Sequence, residues 1–195
     1  MKTLPELTTE RLVLRGFRPD DAAAVQRVAG DRDVAATVLN VPHPYEDHMA
    51  EAWIASHALA IEQLREYPFA ITLRDTGELI GSMGLVDINF RHRRAEVGYL
   101  LGKSYWNRGY ATEALRAVLR YAFEELDLNR VFAYHFECNP ASGRVLQKAG
   151  FQREGCLRRH VERWGVFHDL PVFGILRDDF LKHYDSVQQP DSPAE

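Results

Sequence analysis

The residues from Tyr99 to Ala114 combine a glycine, a fixed positive charge and the start of a helix in an order that suits anion binding. An apolar strand leads into a loop with Arg108 and Gly109, and the loop runs directly into an amphipathic helix. The unpaired N–H groups at a helix N-terminus point outward and carry the positive end of the helix dipole. Gly109 lets the main chain approach a ligand closely. The pattern indicates a pyrophosphate site, although a lone glycine is also an ordinary start for a helix.

Hydrophobic periodicity predicts the elements that position this loop. Strands are predicted over 10–17, 69–73, 79–90, 95–101, 130–137, 152–163 and 167–176, and helices from 19 onward and over 46–67, 109–126 and 141–149. The three strands between 69 and 101 are expected to form an antiparallel meander. Hairpins mixed with crossover helices predict an α+β fold, with one mixed, mostly antiparallel central sheet flanked by helices. Residues 1–184 are predicted to form a single domain and 185–195 a polar, disordered tail.

The composition limits what this domain can bind. A net charge of −4 argues against direct binding of nucleic acid, which favours a strongly basic surface. Cys138 and Cys156 are too few and too far apart for a disulfide framework or a CxxC site, and suit the reducing cytoplasm. None of the eight histidines has HxxxH or HExxH spacing, so no metal site is predicted. No apolar run approaches the roughly 18 residues that span a membrane, and a homo-oligomer remains open.

Four segments in register resemble one enzyme family. The loop NRGYATEA (107–114) resembles the acetyl-CoA pyrophosphate loop of GNAT-fold N-acetyltransferases. Residues 9–22, 95–99 and 139–151 resemble the opening strand and helix, the central strand and the late Asn-x-x-Ser…Gly-Phe element of the RimJ/RimL group, which acetylates ribosomal-protein N-termini. The order and spacing hold from about Thr8 to Phe180. One position departs from the superfamily pattern, because Trp106 stands where Gln or Arg is usual.

The resemblance implies acetyl-CoA as the cosubstrate and no metal. It places the pyrophosphate on the main-chain amides of Arg108, Gly109, Tyr110, Ala111 and Thr112. It places the pantetheine arm along the strand edge of Tyr99, Leu100 and Leu101, where main-chain hydrogen bonds would hold it like an added strand. Asn139 is a further candidate for hydrogen bonding to the arm.

Acetyl transfer from a thioester to an amine needs a neutral amine, a donor for the carbonyl oxygen and a partner for the leaving thiolate. Glu96 is predicted to be the base, acting through water as its family counterparts are thought to do, because strand alternation places it beside the pantetheine edge. The alternative is an ion pair with Arg93 or Arg94. The pKa of an ordinary glutamate is closer to that of an α-amine, about 8, than to that of a lysine, about 10.4. This difference favours an α-amine or a similarly weakly basic nitrogen, and the resemblance to the RimJ/RimL group implies a protein N-terminus as acceptor.

The residue that hydrogen-bonds the leaving thiolate is expected at the start of the predicted helix over 141–149. Much of the superfamily has a tyrosine where this chain has Leu146, whereas the RimJ/RimL group has a serine at the position of Ser142. Ser142 is therefore predicted to hydrogen-bond the thiolate, with helix capping as the alternative. Asn139 either hydrogen-bonds the pantetheine or forms a turn.

Other polar residues near Asn139 are weaker candidates for a catalytic role. In the predicted strand over 130–137, His135 and Glu137 share the face of Asn139 and are reserve bases. Cys138 lies on the opposite face and is expected to be buried by packing. The acceptor is expected to bind between the first helices and the loops at 40–45 and 164–168.

The predicted function is an acetyl-CoA-dependent N-acetyltransferase that moves the acetyl group directly to a primary amine in a ternary complex. A protein N-terminal α-amine is the first choice of acceptor. A small amine, amino acid or antibiotic is the alternative within the same class, since one fold accepts many substrates. A non-catalytic acyl-CoA sensor is the alternative from another class.

Overall fold

The computed structural model describes residues 4–188, whose eight strands form one sheet in the order β1-β2-β3-β4-β5-β6-β8-β7. The strands are β1 (Leu7–Thr8), β2 (Leu12–Arg15), β3 (Tyr67–Leu73), β4 (Leu79–Asn89), β5 (Arg94–Leu101), β6 (Arg130–Tyr134), β7 (Gln152–Arg163) and β8 (Val166–Leu176). The helices are α1 (Ala22–Ala29), α2 (Arg32–Ala35), α3 (Met49–Glu62), α4 (Tyr110–Arg120), α5 (Pro140–Lys148) and α6 (Arg177–Gln188). Within the described residues, every neighbouring pair of strands is antiparallel except β5 with β6. The predicted fold class and the meander from β3 to β5 are confirmed.

Helices cover both faces of the sheet. Successive residues of a strand point to opposite faces, so strand β3, which is buried from Tyr67 to Thr72, contributes to two cores. Phe69 and Ile71 pack in the larger core with Leu115 and Val118 of α4. Ala70 packs in a second core with residues of α1 and α3. Fully burying one leucine or valine side chain stabilises a fold by about 1.5–3 kcal/mol, so both cores stabilise the sheet that contains β5.

The helix predicted over 46–67 is too long. Helix α3 ends at Glu62, and Leu64 adopts a left-handed φ of 56°. Tyr67 and Pro68 already belong to β3, where they pair with Leu85 and Gly84 of β4. A proline cannot continue a helix, and burial of Tyr67 in the sheet outweighs the helical periodicity of the preceding residues.

Two further boundaries differ from the prediction. Strand β6 ends at Tyr134 rather than at residue 137, because the chain turns there and the N–H of Asn139 donates to the carbonyl of Phe136 at 2.8 Å. Helix α6 continues to Gln188, into the range predicted as a tail, and residues 189–195 lie outside the described residues. The helix predicted over 109–126 is continuous, but it changes from α to π geometry over Tyr121–Glu125. No helix in the described range is long and apolar enough to cross a membrane.

Candidate active site

Strands β5 and β6 separate where the predicted pantetheine edge begins. Their parallel pairing covers only Arg94, Ala95 and Glu96, whereas β5 continues to Leu101. The other edge of β5 is paired with β4 as far as Leu101. One edge of β5 is therefore free of a strand partner beyond Glu96, among the residues described. A cavity of about 510 Å³ lies beside this edge.

The cavity collects nearly all of the predicted site residues. Its lining includes Glu96, Tyr99, Leu100, Leu101, Gly109, Tyr110, Ala111, Thr112, Asn139 and Ser142. Arg108 is the exception. Its carbonyl accepts a hydrogen bond from Nη1 of Arg11 at 3.0 Å, and its guanidinium lies 5.9 Å from the ring centroid of Tyr105. The charge of Arg108 therefore lies outside the lining, although its neighbours Asn107 and Gly109 contribute to it.

Gly109 shapes the entry to α4. Its φ of 82° is left-handed, and no described side chain caps this end of the helix, so the first N–H groups are open to the cavity. A Cβ at this position would lie 3.3 Å from Nη2 of Arg11. A glycine is needed here for both conformation and space. The open amides and the free edge of β5 fit the pyrophosphate and the extended arm of CoA, as the resemblance implies.

A cluster of side chains from the start of the chain supports this loop. Glu113 of α4 accepts hydrogen bonds from Thr9 Oγ1 at 2.6 Å and from the Arg11 main-chain N at 2.8 Å. Nε of Arg11 donates to the other Glu113 oxygen at 2.7 Å, and its guanidinium lies 4.6 Å from the Tyr110 ring centroid. Burial would raise the pKa of Glu113, but these hydrogen bonds outweigh it and lower the pKa. The predictions included the segments of Arg11 and Glu113 but missed this contact between them.

Glu96 is a half-buried carboxylate without a partner. No hydrogen bond or ion pair engages it within the described residues. Arg94 instead pairs with Asp87 at 2.9 Å, and Arg93 pairs with Asp127 at 2.7 Å. The alternative that Glu96 is neutralised by Arg93 or Arg94 is therefore wrong. Burial raises the pKa of Glu96, and the nearby charge of Asp87 raises it further.

Asn139 and Ser142 have distinct positions at the start of α5. Asn139 is the N-cap residue, and its Oδ1 accepts a hydrogen bond from the Ser142 N–H at 3.3 Å. The alternative that Ser142 caps the helix is therefore wrong, because Asn139 fills that position. The Ser142 Oγ lies 2.8 Å from the Tyr99 Oη across the cavity wall. Burial raises the pKa of Tyr99 to about 12, although the hydrogen bond to Ser142 opposes this rise.

The turn after β6 changes the interpretation of three residues. The ring of His135 lines the cavity, with Nδ1 2.8 Å from the Phe136 carbonyl and Nε2 close to Gly143 of α5. Glu137 is exposed and does not line the cavity. Cys138 is exposed rather than buried, so that prediction is wrong, and its Sγ lies 4.0 Å from Nδ1 of His168. The strand alternation behind the prediction stops at Tyr134, where the strand ends.

A loop after α2 forms another wall of the cavity. The lining includes Thr37, Val38, Leu39, Asn40 and Val41 from this loop. Arg163, at the end of β7, donates to the carbonyls of Ala35 and Leu39 at 3.0 Å each, and also to the carbonyl of Val41. Of the two loops predicted to surround the acceptor, 40–45 contributes two residues and 164–168 contributes none. Arg163, which directly precedes the second loop, supports the loop over 37–41 instead, and no local sequence pattern indicates this contact.

Metal ligands are not grouped in the part of the chain that the structure describes. No set of three His, Cys, Asp or Glu side chains there is placed to hold an ion.

Comparisons with known proteins agree with this geometry. A family model described as an acetyltransferase (GNAT) domain matches residues 11–152. YoaA of Bacillus subtilis (strain 168), described as an uncharacterized N-acetyltransferase, is 35% identical over 173 residues, which cover 89% of this chain and 97% of YoaA. The spermidine N(1)-acetyltransferase of Vibrio cholerae serotype O1 is 24% identical over 171 residues, covering 88% of this chain and 96% of that protein.

Solved structures give the same result. The structure of Mycobacterium smegmatis RimJ in complex with CoA-disulfide superposes with a TM-score of 0.77 at 26% identity, over 89% of each chain. Since the family model matches most of this chain and a relative matches nearly its full length, the protein belongs to the GNAT family and is an N-acetyltransferase.

Proposed function

We propose that the protein transfers the acetyl group of acetyl-CoA to a protein N-terminal α-amine, directly between two bound substrates. The observation that carries this proposal is the unpaired, half-buried carboxylate of Glu96 beside the free edge of β5. A base without a counter-ion remains available to take a proton, and the adjoining edge has room for an extended arm.

The site supports an acceptor with a single, weakly basic nitrogen. The raised pKa of Glu96 brings this base closer to an α-amine, whose usual pKa is about 8. Among the described residues that line the cavity, Glu96 is the only carboxylate, while Arg144 and Lys148 add positive charge. A polyamine would therefore find no counter-ion there for its second charge. This charge distribution favours a peptide N-terminus over spermidine, the substrate in the name of one relative.

Each residue has a defined part in the transfer. Acetyl-CoA, when bound, supplies an acetyl group activated as a thioester. The acceptor nitrogen bonds to the acetyl carbon while the carbon–sulfur bond breaks, and that electron pair stays on sulfur. Glu96 takes the proton of the amine through a water molecule, and Ser142 donates a hydrogen bond to the departing sulfur. The open N–H groups of β5 are the available donors for the carbonyl oxygen.

The pyrophosphate is proposed to bind the amides from Gly109 to Thr112, and the pantetheine arm the main chain of Tyr99–Leu101. The lining positions of these residues and the missing helix cap at Gly109 support this arrangement. Asn139 shapes the site indirectly, since its side chain is occupied in capping α5.

The test is a comparison of acceptors with the full chain. Peptides carrying ribosomal-protein N-termini are compared with the same peptides blocked at the α-amine, with spermidine and with free amino acids. Thiol release gives the rate, and mass spectrometry gives the acetylated nitrogen. We expect acetylation of the free α-amine and none of the blocked peptides.

Two outcomes would contradict the proposal. A higher kcat/KM for spermidine or an amino acid than for every peptide would make the protein a small-molecule acetyltransferase. Tight acetyl-CoA binding without turnover on any acceptor would make it a sensor instead.

A further inference from the structure

Tyr99 connects the central strand to the start of α5 through its side chain. Its phenol oxygen lies 2.8 Å from the Ser142 Oγ and 3.2 Å from the Ser142 carbonyl oxygen. The sequence predicts only a main-chain role for Tyr99 on the pantetheine edge, and the position of the tyrosine usual in the superfamily is occupied by Leu146. The structure thus brings a phenol beside Ser142 from another element of the fold.

The hydrogen-bond arrangement of this pair has two forms, because each hydroxyl carries one proton. In the first form, Tyr99 donates to the Ser142 carbonyl and the Ser142 hydroxyl donates back to the phenol. In the second form, Tyr99 donates to the Ser142 Oγ, which leaves the serine proton free to point into the cavity. Only the second form offers a hydrogen-bond donor to a ligand.

Negative charge in the cavity selects the second form. A sulfur atom that gains an electron pair attracts the serine proton, and the phenol then donates to the lone pair that faces it. Hydrogen bonds in a chain polarise one another, so the serine becomes a stronger donor when the phenol donates to it. Burial keeps the pKa of Tyr99 at about 12, so the phenol retains its proton at neutral pH.

We propose that Tyr99 is a positioning residue that directs the Ser142 hydroxyl proton toward the leaving sulfur of the acetyl donor. The inference rests on the proposed function. No proton is lost from either hydroxyl. The carbon–sulfur electron pair stays on sulfur, the amine proton passes to Glu96, and the thiolate leaves as an anion that takes a proton from water.

The first experiment is a double-mutant cycle with Tyr99→Phe, Ser142→Ala and the double variant. The phenylalanine keeps the ring and removes only the hydroxyl. We expect Tyr99→Phe to lower kcat about 10-fold with the KM for acetyl-CoA within about twofold, since a positioned hydrogen bond to a charged group has this effect. The double variant should be no slower than Ser142→Ala, because Tyr99 acts only through Ser142.

The matched control is Tyr67→Phe. Tyr67 is a buried tyrosine of β3 that does not line the cavity. It tests whether losing a buried phenol slows turnover in general, and its kcat should match that of the wild type. An unchanged kcat in Tyr99→Phe, or effects of Tyr99→Phe and Ser142→Ala that add in the double variant, would overturn the inference.

The second experiment needs no turnover. CoA bound to the full chain is titrated, and the ultraviolet absorbance of its thiolate gives the apparent pKa of the bound thiol. We expect this pKa to rise in Tyr99→Phe and in Ser142→Ala, and not in Tyr67→Phe. Equal values in wild type and Tyr99→Phe would refute the positioning role. If no amine is acetylated by the wild type, the proposed function fails, whereas this titration still decides the role of Tyr99.

Discussion

The two walls of the cavity are built in opposite ways. The wall proposed for acetyl-CoA comes from consecutive residues, since β5, its loop and the first turn of α4 lie between Arg94 and Thr112. A second wall, called the acceptor wall because the acceptor is expected to bind near the loop over 40–45, comes from the loop over 37–41, which Arg163 holds from more than 120 positions away. One wall presents main-chain N–H groups whose direction the backbone dictates. The other presents side chains on a loop whose shape depends on one distant guanidinium.

This difference determines how well each wall tolerates substitution of its side chains. A site made of main-chain amides keeps its chemistry when its side chains change, provided that the backbone conformation survives. A loop held by a remote side chain can change shape through the substitution of a single residue in a hairpin. Variants in each wall should therefore move different kinetic constants.

The largest expected effect comes from Glu96, the proposed base, which lies on β5. Glu96→Gln keeps the shape of the side chain but removes its capacity to accept a proton. We expect kcat to fall by about 100-fold to 10,000-fold, most clearly below pH 8, while the affinity for CoA stays the same. Steady-state kinetics and calorimetry with CoA measure the two quantities. Glu62→Gln, an exposed carboxylate of α3, is the control. A normal kcat in Glu96→Gln would transfer the role of base to His135 or to bulk water.

In the wall proposed for acetyl-CoA, Gly109→Asp should weaken the binding of CoA. The new carboxylate would stand at the proposed pyrophosphate site and would repel it, so we expect a rise in the Kd for CoA of about 100-fold. Calorimetry measures this value. Gly77→Asp is the matched control, because Gly77 has a similar φ of 72° but no neighbour within 4 Å of its Cβ position. Equal Kd values for the two variants would remove the pyrophosphate from this loop.

The acceptor wall should respond to Arg163→Met. Methionine retains bulk, but it leaves the carbonyls of Ala35, Leu39 and Val41 without their donor, so the loop relaxes. We expect the KM for the peptide acceptor to rise about 10-fold, as for the loss of a charged hydrogen bond, with no change in the KM for acetyl-CoA. Arg158→Met, at an exposed position of β7, controls for lost charge. A change in the KM for acetyl-CoA alone would show that the walls are not independent.

The smallest expected effect is a shift in pH dependence. Asp87→Asn removes a negative charge that raises the pKa of Glu96, and it also releases the positive charge of Arg94. Both changes favour the ionised form of Glu96, so its pKa falls. The acid limb of the kcat profile, which follows deprotonation of the base, should move to lower pH in this variant. If the acid limb moved to higher pH or stayed in place, it would not report the ionisation of Glu96.

The same contrast explains how much could be predicted from the sequence. The loop at Gly109 and the edge of Tyr99–Leu101 are local, and their glycine and alternation patterns predict the elements, whereas their joint use for acetyl-CoA is what the family resemblance implies. Strand alternation also predicts that Glu96 lies beside this edge, and in the structure Glu96 is the last residue paired with β6 and lines the same cavity. The predicted location of these residues in one cavity agrees with the structure, while their roles in catalysis stay predictions.

Contacts between distant parts of the chain could not be predicted. Nothing near Arg163 indicates three carbonyls around residues 35–41, and nothing near Tyr99 indicates its bond to Ser142. Where a strand ends is also decided by tertiary packing, so the strand predicted over 130–137, whose alternation gives Cys138 a buried face, stops at Tyr134. The turn that follows Tyr134 places the Cys138 thiol at the surface rather than in the interior.

The separation of β5 from β6 has a consequence for folding itself. Among the described residues, one edge of β5 has no strand partner beyond Glu96, so a pantetheine arm bound there would extend the hydrogen-bond pattern of the sheet as an added strand. A ligand that binds only the folded chain stabilises it by about 2.7 kcal/mol at 100 times its Kd. The free energy of unfolding would then rise with the concentration of acetyl-CoA, as would the occupancy of the site.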